Sequence, residues 1–417
     1  MPRTTISSSS SLVYYSLTSV SFALPVNFHP PHFLFDKAQI SPYNFIFLFN
    51  QVEVPHDAAM LGQYTLEMIQ VMVKIGDIAL GNFPLLLAPM EDVSDPPFRA
   101  VCKVAGVDLM YTEFISSEGL IRNARQSVMK LDIFESERPI GIQIFGSDIE
   151  SMKAAVQIAE RVDPDLIDIN YGCPVKKITC KGAGAGILRD VPKMVRMTRE
   201  IVKSTSLPVT VKTRLGWDEK TQYIVEVAER LQDVGIQAIT IHGRTRVQMY
   251  KGSADWTLIG AIKDNPRMTI PVFGNGDVDS PQKAHKMRQE YGVDGIMVGR
   301  AAIGYPWIFR EIKHYFSTGQ LLDPPSIKER LASLKKHLEL SIKWKGPRHG
   351  ILEMRRHYKN YLKGIPNVKA YREQLVTLKS YEEIVEVIND VQRHVESMMF
   401  VFNPVGQAEQ KFTRPSV

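Results

Sequence analysis

The sequence predicts an α/β fold, a (β/α)8 TIM barrel followed by a smaller C-terminal helical domain. Short apolar runs of strand length recur eight times between Leu85 and Val298. Most of the gaps between them carry helix-period patterns, and the ends of the runs collect polar and cationic residues. An open doubly wound sheet is the structural rival, but it rarely needs eight successive parallel strands.

The chain has 417 residues, of which 44% are hydrophobic and 23% charged, enough for one large domain plus a smaller one. Its opening segment differs in kind from the rest. The serine run 7–11, Pro30, Pro31 and scattered aromatics stand there with almost no charge. Residues 12–23 behind Arg3 could pass for the apolar part of a secretory signal, but serines and tyrosines dilute them and no convincing cleavage site follows. They are too short and polar for a membrane span. An upstream extension over 1–72 is therefore expected, poorly packed, with the folded protein beginning near Met72.

The predicted strands are 85–90, 109–114, 139–145, 166–171, 208–215, 238–243, 271–274 and 295–298. Helical periodicity fills 149–162, 191–204, 221–234 and 281–291. A barrel domain is expected over 73–319, a helical domain over 320–402 and a flexible tail over 403–417.

In order, the strand ends carry Pro89-Met90, Glu113, Gln143, Asn170 with Cys173, Lys212 with Arg214, His242 with Arg244, Asn275-Gly276-Asp277, and Gly299-Arg300. Each has a bland account alone: Lys212 as a snorkelling surface lysine, His242 as a hydrogen-bonded core histidine, the glycines as turn formers. Eight of them at one end of eight units make that end the active face.

The fourth end is the most informative. Leu166, Ile167 and Ile169 alternate with Asp168 and Asn170, then Gly172 and Pro174 stop the strand and present Cys173. An isolated cysteine is more often a small apolar filler than a reactive group. The chain has three cysteines: Cys102 lies in a predicted helix, and Cys180, seven residues beyond Cys173, makes no zinc-ligand spacing. No metal is expected, and the low, odd count suits a reducing, cytoplasmic setting.

Glycine-rich turns after strands seven and eight, with Arg300, suit a phosphate held by backbone N–H groups. Lys212 and Arg214 share a strand face and suit an anionic ring system, a combination that fits flavin mononucleotide better than a sugar phosphate. Gly182-Ala183-Gly184-Ala185-Gly186 imitates a dinucleotide loop, but no strand directly precedes it, so a flexible loop beside Cys173 is expected.

Several motifs together resemble the tRNA-dihydrouridine synthases of bacterial type. They are Leu87-Ala88-Pro89-Met90 with Val93-Ser94-Asp95, the stretch Asp168-Ile169-Asn170-Tyr171-Gly172-Cys173-Pro174, Lys181-Gly182-Ala183-Gly184, Thr240-Ile241-His242-Gly243-Arg244-Thr245, Asn275-Gly276-Asp277 and Gly299-Arg300-Ala301. The resemblance spans roughly residues 74–400, in the family's order. It implies FMN-dependent reduction of the uridine C5–C6 double bond in tRNA, with NADPH as electron donor. Cys173 would donate the proton to C5, and Lys212 would stabilise charge on the reduced isoalloxazine. Pro89, Met90, Gln143 and His242 would contact the flavin, while Asn275, Gly276, Asp277, Gly299 and Arg300 would hold its phosphate. Asn170 and Arg214 would face the substrate. Glu91, also expected at the flavin, departs from the family, which often has a small residue there; a flavin contact through its backbone leaves the change harmless, whereas a carboxylate entering the pocket would oppose flavin reduction.

The net charge of +6 and pI near 9.0 suggest an anionic partner. Thirteen Lys and Arg against three Glu lie between Lys328 and Arg372, on helical patterns such as 326–345. Trp344, His357, Tyr358, Tyr361 and Tyr371 interleave with them, which suits a surface for RNA backbone and splayed bases. Lys335, Arg355 and Arg356 are the expected tRNA contacts, although basic helical faces are also common for solubility alone. A monomer without membrane attachment is expected. A small-molecule flavin enzyme of dihydroorotate or dihydropyrimidine type would share the barrel and FMN but leaves the basic tail unexplained. A nonenzymatic tRNA-binding protein would not need Cys173, Lys212 and His242 together.

Overall fold

The computed structural model describes the backbone of residues 13–17, 20–24 and 72–402, with side chains over 72–398. Within a separate unit, Met1–Ile69, strand Val13–Leu17 pairs antiparallel with Val20–Leu24. The rest of the expected extension over 1–72, and the expected tail over 403–417, lie outside the described residues.

In the unit Gln70–Val417, eight parallel strands close into a barrel. They are Leu85–Leu87, Met110–Tyr111, Ile140–Phe145, Leu166–Asn170, Val209–Arg214, Ala238–His242, Val272–Asn275 and Gly295–Val298. Closure comes from Ile296 and Val298 of the eighth strand opposite Leu85 and Leu87 of the first, and from a bridge between Leu86 and Leu109. The first strand ends at Leu87, short of its predicted 85–90, and the second departs most from its run. It breaks after Tyr111, Ile115–Ser116 pairs separately with the third strand, and between the two pieces Glu113 accepts the amide proton of Asp92.

Outer helices start where capping chemistry stands in the sequence. Asp95, Asp148, Asp190 and Ser280 each accept a backbone N–H from the first turn of Pro96–Val104, Ile149–Glu160, Val191–Lys203 and Pro281–Tyr291. Their apolar faces pack on the outside of the strands, with Val101, Val156, Ile201 and Ala284 buried.

Inside, a short antiparallel ribbon of Lys74–Ile75 and Ile78–Ala79 closes the barrel floor. Val73, Ile75 and Leu80 pack there against Leu86, Leu109, Leu166, Ala238, Phe273 and Met297. The carboxyl-end mouth is thereby the open end.

Beyond Thr318 the chain is helical: Ile327–Tyr361, Lys369–Leu375 and Tyr381–Phe402. The first breaks at Gly346, whose φ of 79° no helix accommodates, ahead of Pro347. This region docks on the first barrel helix, with Phe98 ring-to-ring against His337 and His357. Three polar ties add to it: Lys345 to Asp95 at 2.7 Å, Trp344 Nε1 to Asp132 Oδ2 at 2.8 Å, and Arg356 to the Asp92 carbonyl. Among the described residues no helix is long and apolar enough to cross a membrane.

Candidate active site

Cys173 is held by its own strand. Asn170 Oδ1 accepts the N–H groups of Gly172 at 3.0 Å and Cys173 at 2.9 Å, fixing the turn that presents the thiol. Asn170 Nδ2 donates to Gln143 Oε1 at 2.7 Å, and Gln143 Nε2 donates to Asp168 Oδ2 at 2.5 Å. Thr210 Oγ1 donates to the other Asp168 oxygen at 2.5 Å. An ionised carboxylate only accepts, so Asp168 sets the direction of the whole chain: Gln143 turns its amino group to Asp168 and its carbonyl to Asn170. Burial raises the Asp168 carboxyl to about 6 against the opposing bonds from Gln143 and Thr210. Gln143 and Asn170, expected at flavin and substrate, are thus also the brace of the cysteine turn.

The thiol is enclosed by Ile178, Ala183, Phe114 and Phe145, and Cys173 is 6% exposed. Burial pushes its pKa up, Glu91 adds to the rise, and Arg214 and Lys212 oppose it. The group is a protonated thiol at neutral pH. The expected flexible loop at 182–186 is corrected here: it is buried and leads into a 3-10 helix, Gly184–Arg189. Ala185 N–H donates to the Cys173 carbonyl at 3.0 Å. Gly184, at φ +53°, passes so close that a Cβ would lie 2.9 Å from that oxygen. Contacts remote in sequence order the segment, so glycine content alone misleads.

On the next strand, Lys212 Nζ donates to Asn275 Oδ1 at 3.2 Å, and Asn275 Nδ2 donates to the Met297 carbonyl at 2.8 Å. Burial first, and Arg214 second, bring the ammonium down to about 8. Arg214 itself is buried. Its Nε donates to the Gly172 carbonyl at 2.7 Å and its Nη1 to Thr245 and Met249 carbonyls at 3.0 and 2.9 Å. It therefore ties the cysteine turn to the loop after strand six, a job the expectation of a substrate contact did not include.

His242 is kept neutral by burial and by the surrounding Arg214, Lys212, Arg244 and Arg300. Arg244 Nη1 lies 3.3 Å from His242 Nε2. A guanidinium only donates, so Nε2 accepts and the imidazole proton sits on Nδ1. Arg244, which sequence reasoning noted only as a strand-end charge, grips Asp277 through two bonds of 2.9 and 2.6 Å. Asp277 also accepts from Ala254 N–H at 2.8 Å and from Arg300 Nη2 at 2.9 Å. Burial pushes its carboxyl up, but Arg244, Ala254 and Arg300 outweigh that and hold it below the usual range. Asp277 accordingly positions two arginines, and a negative carboxylate is not itself a phosphate ligand.

The N–H groups of Gly276, Asp277, Gly299 and Arg300 donate to no acceptor among the described residues. Gly276 has φ +124°, and a Cβ there would meet Ala254 Cβ at 2.7 Å. Open amides beside Arg300 fit an anionic group. Tyr250, missed in the sequence because its loop has no periodicity, lies under Arg214 and Arg300 at 5.7 and 5.5 Å.

At the first strand, Met90 N–H donates to Ser94 Oγ at 2.8 Å in a turn after Pro89, and Met90 Sδ would lie 3.6 Å from a Cβ on Gly299. Glu91 is exposed and paired with Lys130 at 2.6 Å, with Glu113 at 3.7 Å from the same ammonium. Its charge is neutralised locally.

In the helical region the expected RNA aromatics are corrected. His357, Tyr358 and Tyr361 are buried, because positions 354, 357, 358 and 361 form one helix face that packs into the core. Lys335 donates to Asn389 Oδ1 at 2.6 Å, Arg355 is partly buried with its Nη2 3.5 Å from the Leu378 carbonyl, and Arg356 reaches Asp92. Lys328, Lys343, Arg348 and Lys359 are exposed and make no ion pair among the described residues.

Comparison with known proteins matches residues 86–396 to the family model described as dihydrouridine synthase. The tRNA-dihydrouridine synthase B of Pseudomonas aeruginosa is 39% identical over 74% of this chain and 92% of its own length. The protein of the same name from Pseudomonas putida is 39% identical over 74% and 90%. A probable tRNA-dihydrouridine synthase 1 of Synechocystis sp. is 39% identical over 75% and 86%.

Proposed function

This chain belongs to the dihydrouridine synthase family, and on that premise we propose that it is a flavin-dependent oxidoreductase reducing uridines of tRNA to dihydrouridine, with Cys173 as general acid. The flavin is FMN and the electron donor NADPH. The open amides of Gly276, Gly299 and Arg300 fit its single phosphate, and Lys212, His242, Asn275, Pro89 and Met90 fit its ring. When bound and reduced, the cofactor supplies a hydride to C6 of the uracil.

The chain's own residues supply the rest. Cys173 Sγ gives its proton to C5, so hydride and proton together saturate the double bond. Enclosure by Phe114, Phe145, Ile178 and Ala183 keeps the thiol protonated until it acts. Arg214 and Lys212 then stabilise the thiolate that remains. Lys212 also brings positive charge to the anionic ring system, and neutral His242 offers Nδ1–H as a donor. Asn170 and Arg214 keep the cysteine turn at the strand end. A target uridine leaves the tRNA stack to reach this mouth, since the thiol sits inside it. The same reading places the protein with tRNA in the cytoplasm.

One observation carries the assignment: a buried cysteine shares one barrel mouth with Lys212 and with the open backbone amides after strands seven and eight. Incubation with NADPH and unmodified tRNA, followed by mass spectrometry of dihydrouridine, tests it. Wild type forms product, and Cys173→Ala lowers the rate by about 10²-fold or more. A silent wild type, or an unimpaired variant, overturns it.

A further inference from the structure

Beside Cys173 lies a cleft of about 390 Å³. Its apolar lining is Phe114, Phe145, Ile178 and Ala183, the same side chains that enclose the thiol. The two phenylalanines meet edge to face at 5.6 Å and leave part of each ring uncovered. The cleft and the thiol thus share these four side chains.

Charge around the rim does not cancel. Glu91 is neutralised by Lys130 at 2.6 Å, and Glu118 by Arg122 at 3.0 Å while it also accepts from Ser151 at 2.6 Å. Lys177 and Lys181 line the same cleft, are exposed, and make no ion pair among the described residues. Glu118 thus has Arg122, Glu91 shares Lys130 with Glu113 behind it, and the Lys177 and Lys181 ammonium groups have no carboxylate partner among the described residues. An apolar, partly aromatic lining under two unspent cations suits a flat ring attached to phosphates. A nucleotide has that chemistry.

Two sources of such a nucleotide come to this mouth, the RNA and the dinucleotide electron donor. A uridine held over Cys173 carries a phosphate on each side and a neighbouring base, covalently within one nucleotide of the thiol. The cleft shares its walls with that thiol, whereas the open amides for the flavin phosphate lie across the mouth at strands seven and eight. RNA is the better match.

Resting on the tRNA reading above, we propose that this cleft receives the nucleotide adjoining the target uridine, its base against Phe114 and Phe145 and its flanking phosphates on Lys177 and Lys181. The pair makes a local clamp that steadies one flipped nucleotide.

The test compares wild type, Lys177→Ala/Lys181→Ala and Lys177→Arg/Lys181→Arg, each purified with its flavin. Fluorescence anisotropy gives the Kd for unmodified tRNA across a salt series, and stopped-flow absorbance gives flavin reduction by NADPH without RNA. We expect the alanine pair to weaken tRNA binding on the order of tenfold and to lower the salt slope by about 0.7 to 1 per lysine. The arginine pair should bind as wild type does, and flavin reduction should be equal in all three. Unchanged Kd and slope in the alanine pair overturn the proposal. So does a loss of NADPH reduction with unchanged tRNA binding, which would give the cleft to the dinucleotide. Because binding is read without turnover, a wild type that grips tRNA through these lysines but makes no dihydrouridine refutes the catalytic reading and not the clamp.

Discussion

At the scale of single residues, the direction of one hydrogen-bond chain decides where the thiol sits. Asp168 accepts from Thr210 and Gln143, Gln143 accepts from Asn170, and Asn170 accepts from the amides of Gly172 and Cys173. An asparagine at 168 brings an N–H where only an acceptor serves, so one link must reverse or break. Asp168→Asn should lower dihydrouridine formation about tenfold while the flavin remains bound, which absorbance of the purified protein reports. The pH dependence has a definite sign. The folded carboxyl titrates at about 6, above its ordinary 3.8, so the folded state holds the extra proton in between. Its contribution is fully present below about pH 4 and is lost as pH rises through about 6. Urea midpoints should therefore fall more from pH 4 to pH 6 in wild type than in Asp168→Asn; equal slopes would refute the assignment. The types in this chain were legible in the sequence as strand-end polar residues, but their mutual bonding was not. Gln143, Asn170 and Asp168 lie on adjacent strands, and only the parallel register brings them together.

At the scale of elements, the strands and helices could be read off the chain because each is short, periodic and bounded by its own turn chemistry. Predicted 208–215 became Val209–Arg214, and 281–291 became Pro281–Tyr291 unchanged, capped by Ser280 and ended by left-handed Gly292. The failures share one cause. Gly184 and its neighbours are held by the Cys173 carbonyl, and Tyr358 and Tyr361 are buried in the core, where Tyr361 packs edge to face on Trp307 and His337. The 354, 357, 358, 361 spacing did hold the signal for the second case, but a count of basic and aromatic residues overrode it. Gly184→Ala puts a Cβ into a left-handed backbone position and against Cys173. It should cost about 1–3 kcal/mol in urea unfolding and reduce turnover by moving the thiol. A fully stable, fully active variant would show that the segment has slack.

At the scale of the whole molecule, the helical region is joined to the barrel by buried charge as well as by apolar packing. Lys345 sits between Asp95 and Glu353 with both its own side chain and that of Asp95 under 10% exposed, at 9% and 7%. Lys345→Met leaves Asp95 buried without its cation and should destabilise the protein by about 3 kcal/mol, measurable as a lower urea midpoint. An unchanged midpoint would mean that solvent reaches the pair. The candidate site lies in the barrel and the helical region docks on it, so the first barrel helix is the joint between the two. The ribbon that fills the barrel floor, Ile75 and Leu80 against Phe273 and Met297, has its own consequence for traffic. With one end sealed, the donor of electrons and their recipient must take turns at a single doorway. Reaction velocities with both varied should follow double-displacement kinetics, giving parallel lines in reciprocal plots, with excess tRNA inhibiting competitively against NADPH. Intersecting lines would mean that the two pass through the doorway together.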